Sequence, residues 1–509
     1  MKRALGLLIA LFSAACGGSG GGGTPPAAEP PPAMEPPPAT TAQLTHDFGE
    51  YTLGPGEEIN ALCISWTLAN EKPVYVESVT VSNAGSYHHS NWFVVPETQY
   101  AGPDGFFKCS DRGFDELGAA VAGTVIFAQS TQSQVEEQSF AKGAVIKIPP
   151  RHKVVADVHL LNPNFRTQTT SLRMSLGLIH PKDVAVVLAP FRLSYLDLDI
   201  PPRSEAHFTT DCDLATPYEQ SAQRPFDIKL YWVLPHYHYL GNYFRVTVIG
   251  GPHDGELIHS LDTFNAEANG KALDPPLDLT GARGLRLTCG YGNPRDERVG
   301  WGIGDQEMCV MLGFADSAIL MDATMPSGNQ MLGVENGVVE NAGECVAYGV
   351  PKNPAQTMPS DEEIAAALYV PESDGEGELP PVLPCIDDAG TALPEPPVTL
   401  TSLRESIFDG SCSFQACHDA QFPAGGLDLT GDVRAQLVDQ PVLSYPTDLL
   451  RVAPGDPDRS WLYRVLSQCE PTDGNGNVVA HMPRNAPALL DPPLIAKVRA
   501  WIAAGAPDD

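Results

Sequence analysis

The chain has 509 residues, enough for about three domains of ordinary size. Its 63 acidic residues outnumber its 31 lysines and arginines, giving a formal net charge of −32. This balance argues against nucleic acid or an anionic membrane surface as a partner, because both would be repelled. We interpret the charge as a solubilising property of a protein displayed on a cell surface.

The N-terminus has the features of a processing signal. Two basic residues precede an apolar run, and Ser13-Ala14-Ala15-Cys16 is followed at once by glycines. This pattern predicts a bacterial lipoprotein signal peptide over residues 1–15, with the lipid on Cys16. An ordinary secretory signal is the alternative, and the apolar run is too short for a transmembrane helix. Residues 16–43, rich in Gly, Pro and Ala, are then a tether.

Export has consequences for location and for the cysteines. We expect the protein in the cell envelope, at the outer membrane or surface of a Gram-negative bacterium, with the lipid as its only membrane attachment. Disulfides persist there. The chain has 11 cysteines, so removing Cys16 leaves an even number that is consistent with extensive pairing.

Between residues 44 and 350 short apolar or alternating segments are separated by Gly, Pro and Asn. Long helical periodicity is lacking, so the pattern predicts all-β sandwiches or barrels. The clearest predicted strands are 74–81, 144–148, 154–161, 228–234 and 244–249.

Histidines mark this region in chain order. His88 and His89 are adjacent, so on a strand they would diverge unless a bulge or strand end intervenes. His159 lies in an alternating strand, where a lone histidine is more often structural than a ligand. His236 and His238 are one residue apart, so both side chains project from one face of a strand and can bind one ion. Two surface histidines flanking an aromatic residue are the alternative.

Taken in order with Met308, these histidines resemble the ligands of the copper type II, ascorbate-dependent monooxygenases, the family of peptidylglycine α-hydroxylating monooxygenase and dopamine β-monooxygenase. The similarity covers roughly residues 45–345. Imidazoles and one thioether are a donor set suited to copper that cycles between Cu(I) and Cu(II). The segments that carry the resemblance are His88-His89, Asp157-Val158-His159, His236-Tyr237-His238-Tyr239-Leu240-Gly241, Leu287-Thr288-Cys289-Gly290-Tyr291-Gly292-Asn293 and Glu307-Met308-Cys309.

The resemblance implies two copper sites. The residues implied for the first, which stores and passes an electron, are His88, His89 and His159. The residues implied for the second, the catalytic site that binds O2 and attacks a C–H bond, are His236, His238 and Met308. A soft thioether favours Cu(I), whereas three imidazoles tolerate both oxidation states.

The resemblance also implies a fold and a set of disulfides. We expect a mainly β protein with two tandem antiparallel β-sandwich, jelly-roll-like copper domains, at residues 44–195 and 196–352. Each bridge would contribute roughly 2–5 kcal/mol to stability. The implied disulfides are Cys63–Cys109, Cys289–Cys309 and Cys212–Cys345.

Some positions depart from the family. Leu234 stands where the peptide-amidating enzymes have an arginine that holds the substrate carboxylate, and Val310 and Leu312 replace an asparagine and a tyrosine. A buried carboxylate without a bidentate partner is disfavoured, so we do not expect peptide amidation to be the reaction. We expect an apolar or weakly polar small substrate instead. Three tyrosines either surround the metals or serve strand packing: Tyr87, Tyr237 and Tyr239.

Residues 353–397 are acidic and rich in Pro and Gly, which predicts a linker with a short helix over 362–369. Residues 398–509 have helical spacing at 400–408 and 494–504. There Cys412, Cys417 and His418 resemble a c-type haem attachment site, although four residues separate the cysteines instead of two.

The segment around Met482 resembles the loop that carries the axial methionine of cytochrome c, with His481 as a competing ligand. The pattern favours a small α-helical cytochrome c-like domain with haem c over a haem-free disulfide between Cys412 and Cys417. Cys385 and Cys469 remain to pair with each other.

These expectations describe a copper monooxygenase that consumes O2 and two external electrons. The electrons would come from an ascorbate-like reductant or a redox protein, through the haem. A non-catalytic copper-binding or redox surface lipoprotein is the main alternative, and a structural adhesin with degenerate sites is a further one.

Overall fold

The protein is described here by a computed structural model covering residues 41–129, 134–163, 167–238, 240–262, 270–293, 295–302, 306–352, 356–373, 375, 398–413, 417–420, 423–484 and 489–509. The predicted signal peptide, Cys16 and nearly all of the tether lie outside this part of the chain. Residues Ala39–Asp509 belong to one compact unit. The unit is mainly β, as the sequence predicts.

The first pair of sheets encloses one apolar core. Sheet I has the strand order β1-β10-β3-β8-β11, with β7 also paired to β3, and sheet II has the order β5-β2-β9-β4-β6. Alternating residues of both sheets fill the space between them, among them Trp92, Val158 and Leu176. The elements are β1 (Thr41–Leu53), β2 (Glu58–Thr67), β3 (Val74–Asn83), β4 (Tyr87–Pro96), β5 (Gly105–Lys108), α1 (Glu116–Ala122), β6 (Thr124–Gln129), β7 (Val135–Ser139), β8 (Ala144–Ile148), β9 (His152–Leu161), β10 (Gln168–Ile179) and β11 (Val186–Val187).

The second pair of sheets encloses another core. Sheet III has the order β18-β15-β21-β12-β22-β25, and sheet IV has the order β17-β16-β19-β14-β24-β23. The elements are β12 (Ala189–Tyr195), β13 (Asp199–Ile200), β14 (Ser204–Asp213), α2 (Ala215–Ala222), β15 (Lys229–His236), β16 (Gly241–Ile249), β17 (Leu257–Leu261), β18 (Lys271–Asp278), β19 (Gly284–Asn293), β20 (Val299–Gly300), β21 (Val310–Asp316), β22 (Ile319–Met325), β23 (Gln330–Glu335), β24 (Val338–Glu344) and β25 (Val346–Pro351).

Two details differ from the expected tandem antiparallel sandwiches. Strand β12 falls in the range 44–195 expected for the first domain, yet it pairs with β21 and β22 of sheet III. The boundary between the sheet pairs therefore lies before Ala189. Most pairs are antiparallel, but three run parallel: β8 with β11, β12 with β22, and β14 with β24.

The outer face of sheet III packs on the first pair of sheets. Trp232, Leu234 and Phe314 belong to the same buried cluster as the core of the first pair. Phe140, just after β7, has its ring 6.3 Å from that of Trp232 and 5.3 Å from that of Phe314. This apolar contact holds the two sheet pairs together.

Part of the predicted linker packs against the first sheet pair. We call residues 356–373 the return segment; it contains α3 (Asp361–Ala365), near the start of the predicted helix. A Glu363 carboxylate oxygen lies 3.4 Å from the Lys147 ammonium of β8. The Glu71 amide donates to the Tyr369 hydroxyl at 2.9 Å. The chain thus leads from the second sheet pair back to the first, and residues 376–397 lie outside the described residues.

The C-terminal segment (residues 398–509) has its own apolar core, built around Leu403, Phe408 and Trp501. Both helices that the sequence predicts are present. Among the described residues, no helix is long and apolar enough to cross a bilayer. The elements are α4 (Leu400–Leu403), a wider turn (Arg404–Phe408), α5 (Asp409–Ser411), α6 (Val433–Leu437), α7 (Trp461–Ser467) and α8 (Pro492–Ala503).

Candidate metal centre

A β-bulge brings the first three histidines together. His89 of β4 lies directly opposite His159 of β9, and the register shifts between Tyr87 and His89. Val158 and Leu160 point into the core, so His159 and its partner His89 lie on the outer face of sheet II. His88 is the extra residue of the bulge, which lets two adjacent side chains reach one site.

We call His88, His89 and His159 the first histidine group. Their ring centroids are 4.7–5.2 Å apart. His159 Nδ1 lies 3.1 Å from His89 Nε2, and His159 Nε2 lies 2.8 Å from a carboxylate oxygen of Glu58. Glu58 was not predicted from the sequence, because an acidic residue at the start of a strand usually faces water.

The second group consists of His236, His238 and Met308. His236 is the last residue of β15, and the rings of His236 and His238 are 5.2 Å apart. The Nδ1 atom of His238 lies 2.7 Å from the Gln306 carbonyl oxygen. A carbonyl can only accept, so Nδ1 carries the proton and Nε2 is the atom left for a metal.

Glu307 ties the Met308 loop to the second histidine pair. Its carboxylate accepts hydrogen bonds from the backbone amides of His238 at 2.8 Å and Leu240 at 2.7 Å. Glu307 is completely buried, which raises its pKa to about 8 despite these two N–H donors. The signal for this residue lay in the sequence, immediately before Met308, but a buried structural carboxylate there was not predicted.

The neighbouring backbone is fixed as well. The Tyr291 hydroxyl donates to the Met308 carbonyl oxygen at 2.6 Å, and Cys309 forms a disulfide with Cys289. The other two expected bridges, Cys63–Cys109 and Cys212–Cys345, are also present.

Burial favours the neutral imidazole at His88, His89, His236 and His238. It lowers the pKa of His236 to about 3 and the pKa of His238 to a lesser extent. Burial and then the neighbouring His159 hold the pKa values of His88 and His89 well below the usual range. Neutral imidazole is the form that binds a metal ion.

The two groups lie near each other across the contact between the sheet pairs. His236 and His238 contribute to lowering the pKa of His89, and His238 does the same for His88. The strand register explains this, because Trp232, Leu234 and His236 alternate along β15 on the face that packs on the first pair.

The donor atoms of the first histidine group do not all lie within 4.8 Å of one another. Among the described residues, one set of three His, Cys, Asp or Glu side chains does meet that distance: Cys63, Cys109 and Asp157. The two sulfurs there form a disulfide, so that cluster is not a ligand set. In the first histidine group a side-chain rotation would be needed to point three nitrogens at one ion. The residue types and their neutral state fit copper.

Leu234 does not face an open substrate cavity. With Leu312 it lines a small apolar pocket between the sheet pairs, closed on the other side by Val125 and Ala128. Leu234 and Val310 are both buried. Packing between the sheet pairs therefore accounts for these apolar replacements without a substrate.

The three tyrosines are placed differently. Tyr87 is in the core of the first sheet pair, where burial raises its pKa. Tyr237 is buried in the core of the second pair, its ring 5.9 Å from Phe244. Both therefore serve packing, and Tyr239 lies outside the described residues.

The cysteines of the C-terminal motif are not joined to each other. Cys412 and Cys417 are free thiols, and burial raises the pKa of Cys412 to about 12. His418 donates from Nδ1 to the Leu427 carbonyl oxygen at 3.2 Å, and burial lowers its pKa to about 4. Two thiols beside a neutral, oriented imidazole are the groups that a c-type haem attachment site requires. Cys469 is disulfide-bonded.

Both candidates for a second haem ligand remain. Met482 packs in the apolar core of the C-terminal segment. The Nδ1 atom of His481 is buried and has no hydrogen-bond partner among the described residues. Cys385, the expected partner of Cys469, is outside the described part of the chain.

The C-terminal segment reaches the first histidine group. Ser411 donates a hydrogen bond to the backbone oxygen of Pro163. Glu58 lies close enough to Cys417 to contribute to raising its pKa, and Arg484 contributes to lowering that of His88. The Cys-His motif and the first histidine group are thus neighbours, although 250 residues of chain separate their sequences.

No protein-family model and no curated protein match the chain. Among solved structures, it is similar to the major capsid protein P2 from bacteriophage PM2, with 8% identity over 54% of this chain and 97% of that chain and a TM-score of 0.25. It is also similar to the PBSX exported protein XepA, with 9% identity over 53% and 86% of the two chains and a TM-score of 0.15. Likenesses with TM-scores this low carry no argument.

Proposed function

We propose that this protein is a copper-dependent monooxygenase that hydroxylates a C–H bond of an apolar small substrate with O2 and two external electrons. On this proposal the two sheet pairs are tandem copper domains. The first copper is bound by the first histidine group, and the second by His236, His238 and Met308.

The proximity of the two groups is the observation that carries the proposal. Five imidazoles, from β4, β9, β15 and the turn just after β15, lie near the contact between the sheet pairs. His236 and His238 are close enough to His89, and His238 to His88, to contribute to lowering the pKa values of those rings. Core packing does not require such a set, because each buried polar ring costs free energy unless it has a partner.

The residues around the ligands support the same chemistry. Copper would supply one-electron redox chemistry and, at the site with the thioether, a form that binds O2. The Gln306 carbonyl orients His238, and Glu307 holds the Met308 loop against the histidine pair.

The C-terminal segment is proposed as a cytochrome c-like domain that accepts electrons from outside. Cys412 and Cys417 would form the thioether links, His418 would ligate the iron, and Met482 or His481 would complete the coordination. The haem would supply a one-electron relay to an external donor, either an ascorbate-like reductant or a redox protein. Lipid on Cys16 would keep the enzyme at the outer membrane or cell surface.

Metal analysis tests the proposal first. Purified protein is expected to contain two copper ions per chain and to have the visible spectrum of a c-type haem. Replacing His236 and His238 with alanine should remove one copper, and replacing His88 and His89 should remove the other. Protein that binds no copper after loading with Cu(II) would sink the proposal. Protein that contains copper but no haem would be consistent with the proposed monooxygenase and would contradict the proposed electron relay through the C-terminal segment.

A non-catalytic copper-binding or redox surface lipoprotein is the second candidate. The observation in its favour is that Leu234 and Leu312, expected near a substrate, are used in the contact between the sheet pairs. Oxygen uptake in the presence of ascorbate separates the two functions. Uptake that matches a hydroxylated product from an added apolar substrate supports the enzyme, whereas reduction and reoxidation of copper without product supports the alternative.

A further inference from the structure

We propose that Glu58 is a positioning residue that fixes the orientation and tautomer of His159 in the first histidine group. The inference rests on the proposed function, because it assigns a role in preparing the first copper site. It concerns side chains that are present in the metal-free protein, so it can be tested separately.

Strand geometry brings Glu58 to His159. On paired strands Glu58 of β2 lies opposite Leu161 of β9, two residues from His159 and on the same face of the sheet. A register shift between Ile59 and Leu62 interrupts the pairing beside Glu58. The result is a distance of 2.8 Å between a Glu58 carboxylate oxygen and His159 Nε2.

This contact decides which ring nitrogen is free. An ionised carboxylate can only accept a hydrogen bond, so His159 Nε2 must carry the proton. In a neutral ring, Nδ1 then holds the lone pair, and it accepts from His89 Nε2 at 3.1 Å. His159 therefore presents Nδ1 towards the other two histidines. Carboxylates hold metal-binding histidines in this way in many proteins.

The surroundings distinguish Glu58 from a surface acid. Its side chain is 24% exposed and that of His159 is 11% exposed. The C-terminal segment is nearby, since Glu58 contributes to raising the pKa of Cys417.

The first experiment measures the ring nitrogens directly. In metal-free protein labelled with ¹⁵N-histidine, the shifts of His159 should report a protonated Nε2 and a bare Nδ1. Glu58→Ala should give a mixture of tautomers. Glu58→Gln should give an intermediate result, because the amide can either accept or donate. Asp157→Asn is the matched control: it removes a neighbouring carboxylate on the same strand, and we expect the His159 tautomer to stay unchanged.

The second experiment measures binding. In a background with His236→Ala and His238→Ala, competition titration with Cu(II) should give an affinity roughly 10–100-fold weaker for Glu58→Ala, the usual cost of losing such a partner. Asp157→Asn should stay close to the parent. Unchanged His159 tautomers in both Glu58 variants would overturn the inference. A parent that binds no Cu(II) would overturn the proposed function, while the ring shifts would still decide the role of Glu58.

Discussion

The two candidate ligand groups are built in different ways. The first histidine group depends on strand register: two paired strands place His89 opposite His159, a bulge adds His88, and a side chain, Glu58, orients one ring. The second group depends on a loop, which is tied to the histidine pair by Glu307 and by a disulfide.

This difference predicts different weaknesses. A strand in the middle of a sheet is held by hydrogen bonds along both edges, so removing one side chain leaves the positions of its neighbours in place. A loop held by one buried carboxylate, one disulfide and one tyrosine hydrogen bond has fewer such contacts. We therefore expect single substitutions near the second group to abolish its copper binding, whereas comparable substitutions near the first group should leave copper binding there intact.

Removing the Glu307 carboxylate should have the largest effect. Glu307→Ala leaves two buried amides without their acceptor, which should lower the free energy of unfolding by roughly 4 kcal/mol. Chemical denaturation measures this loss, and metal analysis should find only the copper of the first group. Glu335→Ala, at an exposed position of β23, is the control. Two coppers and an unchanged denaturation midpoint in Glu307→Ala would contradict the loop-based account.

Removing a disulfide should give the next largest effect. Comparing two such variants separates a loss of stability from a loss of ligand geometry. By the loop-closure estimate, replacing Cys63 and Cys109 with alanine should lower the free energy of unfolding by about 4 kcal/mol, and replacing Cys289 and Cys309 should lower it by about 3 kcal/mol. The first double variant should keep copper at the first group, because strand pairing still positions His89 and His159. The second should lose copper at the second group. Equal losses of copper in the two variants would show that the groups do not differ as proposed.

Much of the β fold follows from the sequence alone. Alternation of apolar residues predicted β3, β8, β9, β15 and β16, because each has one face in a core. The requirement for a bulge at His88 and His89 followed from the opposite directions of adjacent side chains, and the bulge is present. These features are local, so a local pattern can carry them.

The features that could not be predicted depend on contacts between distant parts of the chain. Nothing in the sequence of β12 says which sheet it joins, because an apolar strand pairs equally well with either. The return segment contains acidic and proline residues typical of a linker, yet Glu363 and Tyr369 find partners on the first sheet pair. Glu58 and Glu307 are ionisable residues whose burial is set by the tertiary structure.

The contact between the sheet pairs supplies a smaller effect. Leu234→Arg places a charge in the apolar contact between the two sheet pairs. It should lower the free energy of unfolding by about 2 kcal/mol. Leu257→Arg is a matched control in the second sheet pair, because Leu257 is 50% exposed, and its stability should not change. Thermal unfolding compares the two variants. If Leu234→Arg keeps full stability and changes only the oxidation of apolar substrates, Leu234 belongs to a substrate site and not to the contact.

The smallest expected effect is on the stability of the protein in acid. It comes from His259, which lies outside both ligand groups and whose contribution must be separated from theirs. Burial, and then the nearby Lys271, lower the pKa of His259 to about 4, against 6.5 for an ordinary histidine. Because the folded protein binds this proton less readily than the unfolded chain, the contribution of His259 to stability is complete above pH 6.5 and is lost as the pH falls towards 4. For this partly exposed residue we expect a loss of about 1 kcal/mol, discounted for solvent screening.

His259→Phe should abolish that part of the acid dependence, since a phenylalanine has no proton to gain. Denaturation curves of both proteins at intervals between pH 7 and pH 4 measure the difference. The acid sensitivity that remains in the variant belongs to other titratable groups, among them His88, His89, His236 and His238. If the curves of the variant and the parent stay parallel throughout, His259 is not a source of acid sensitivity.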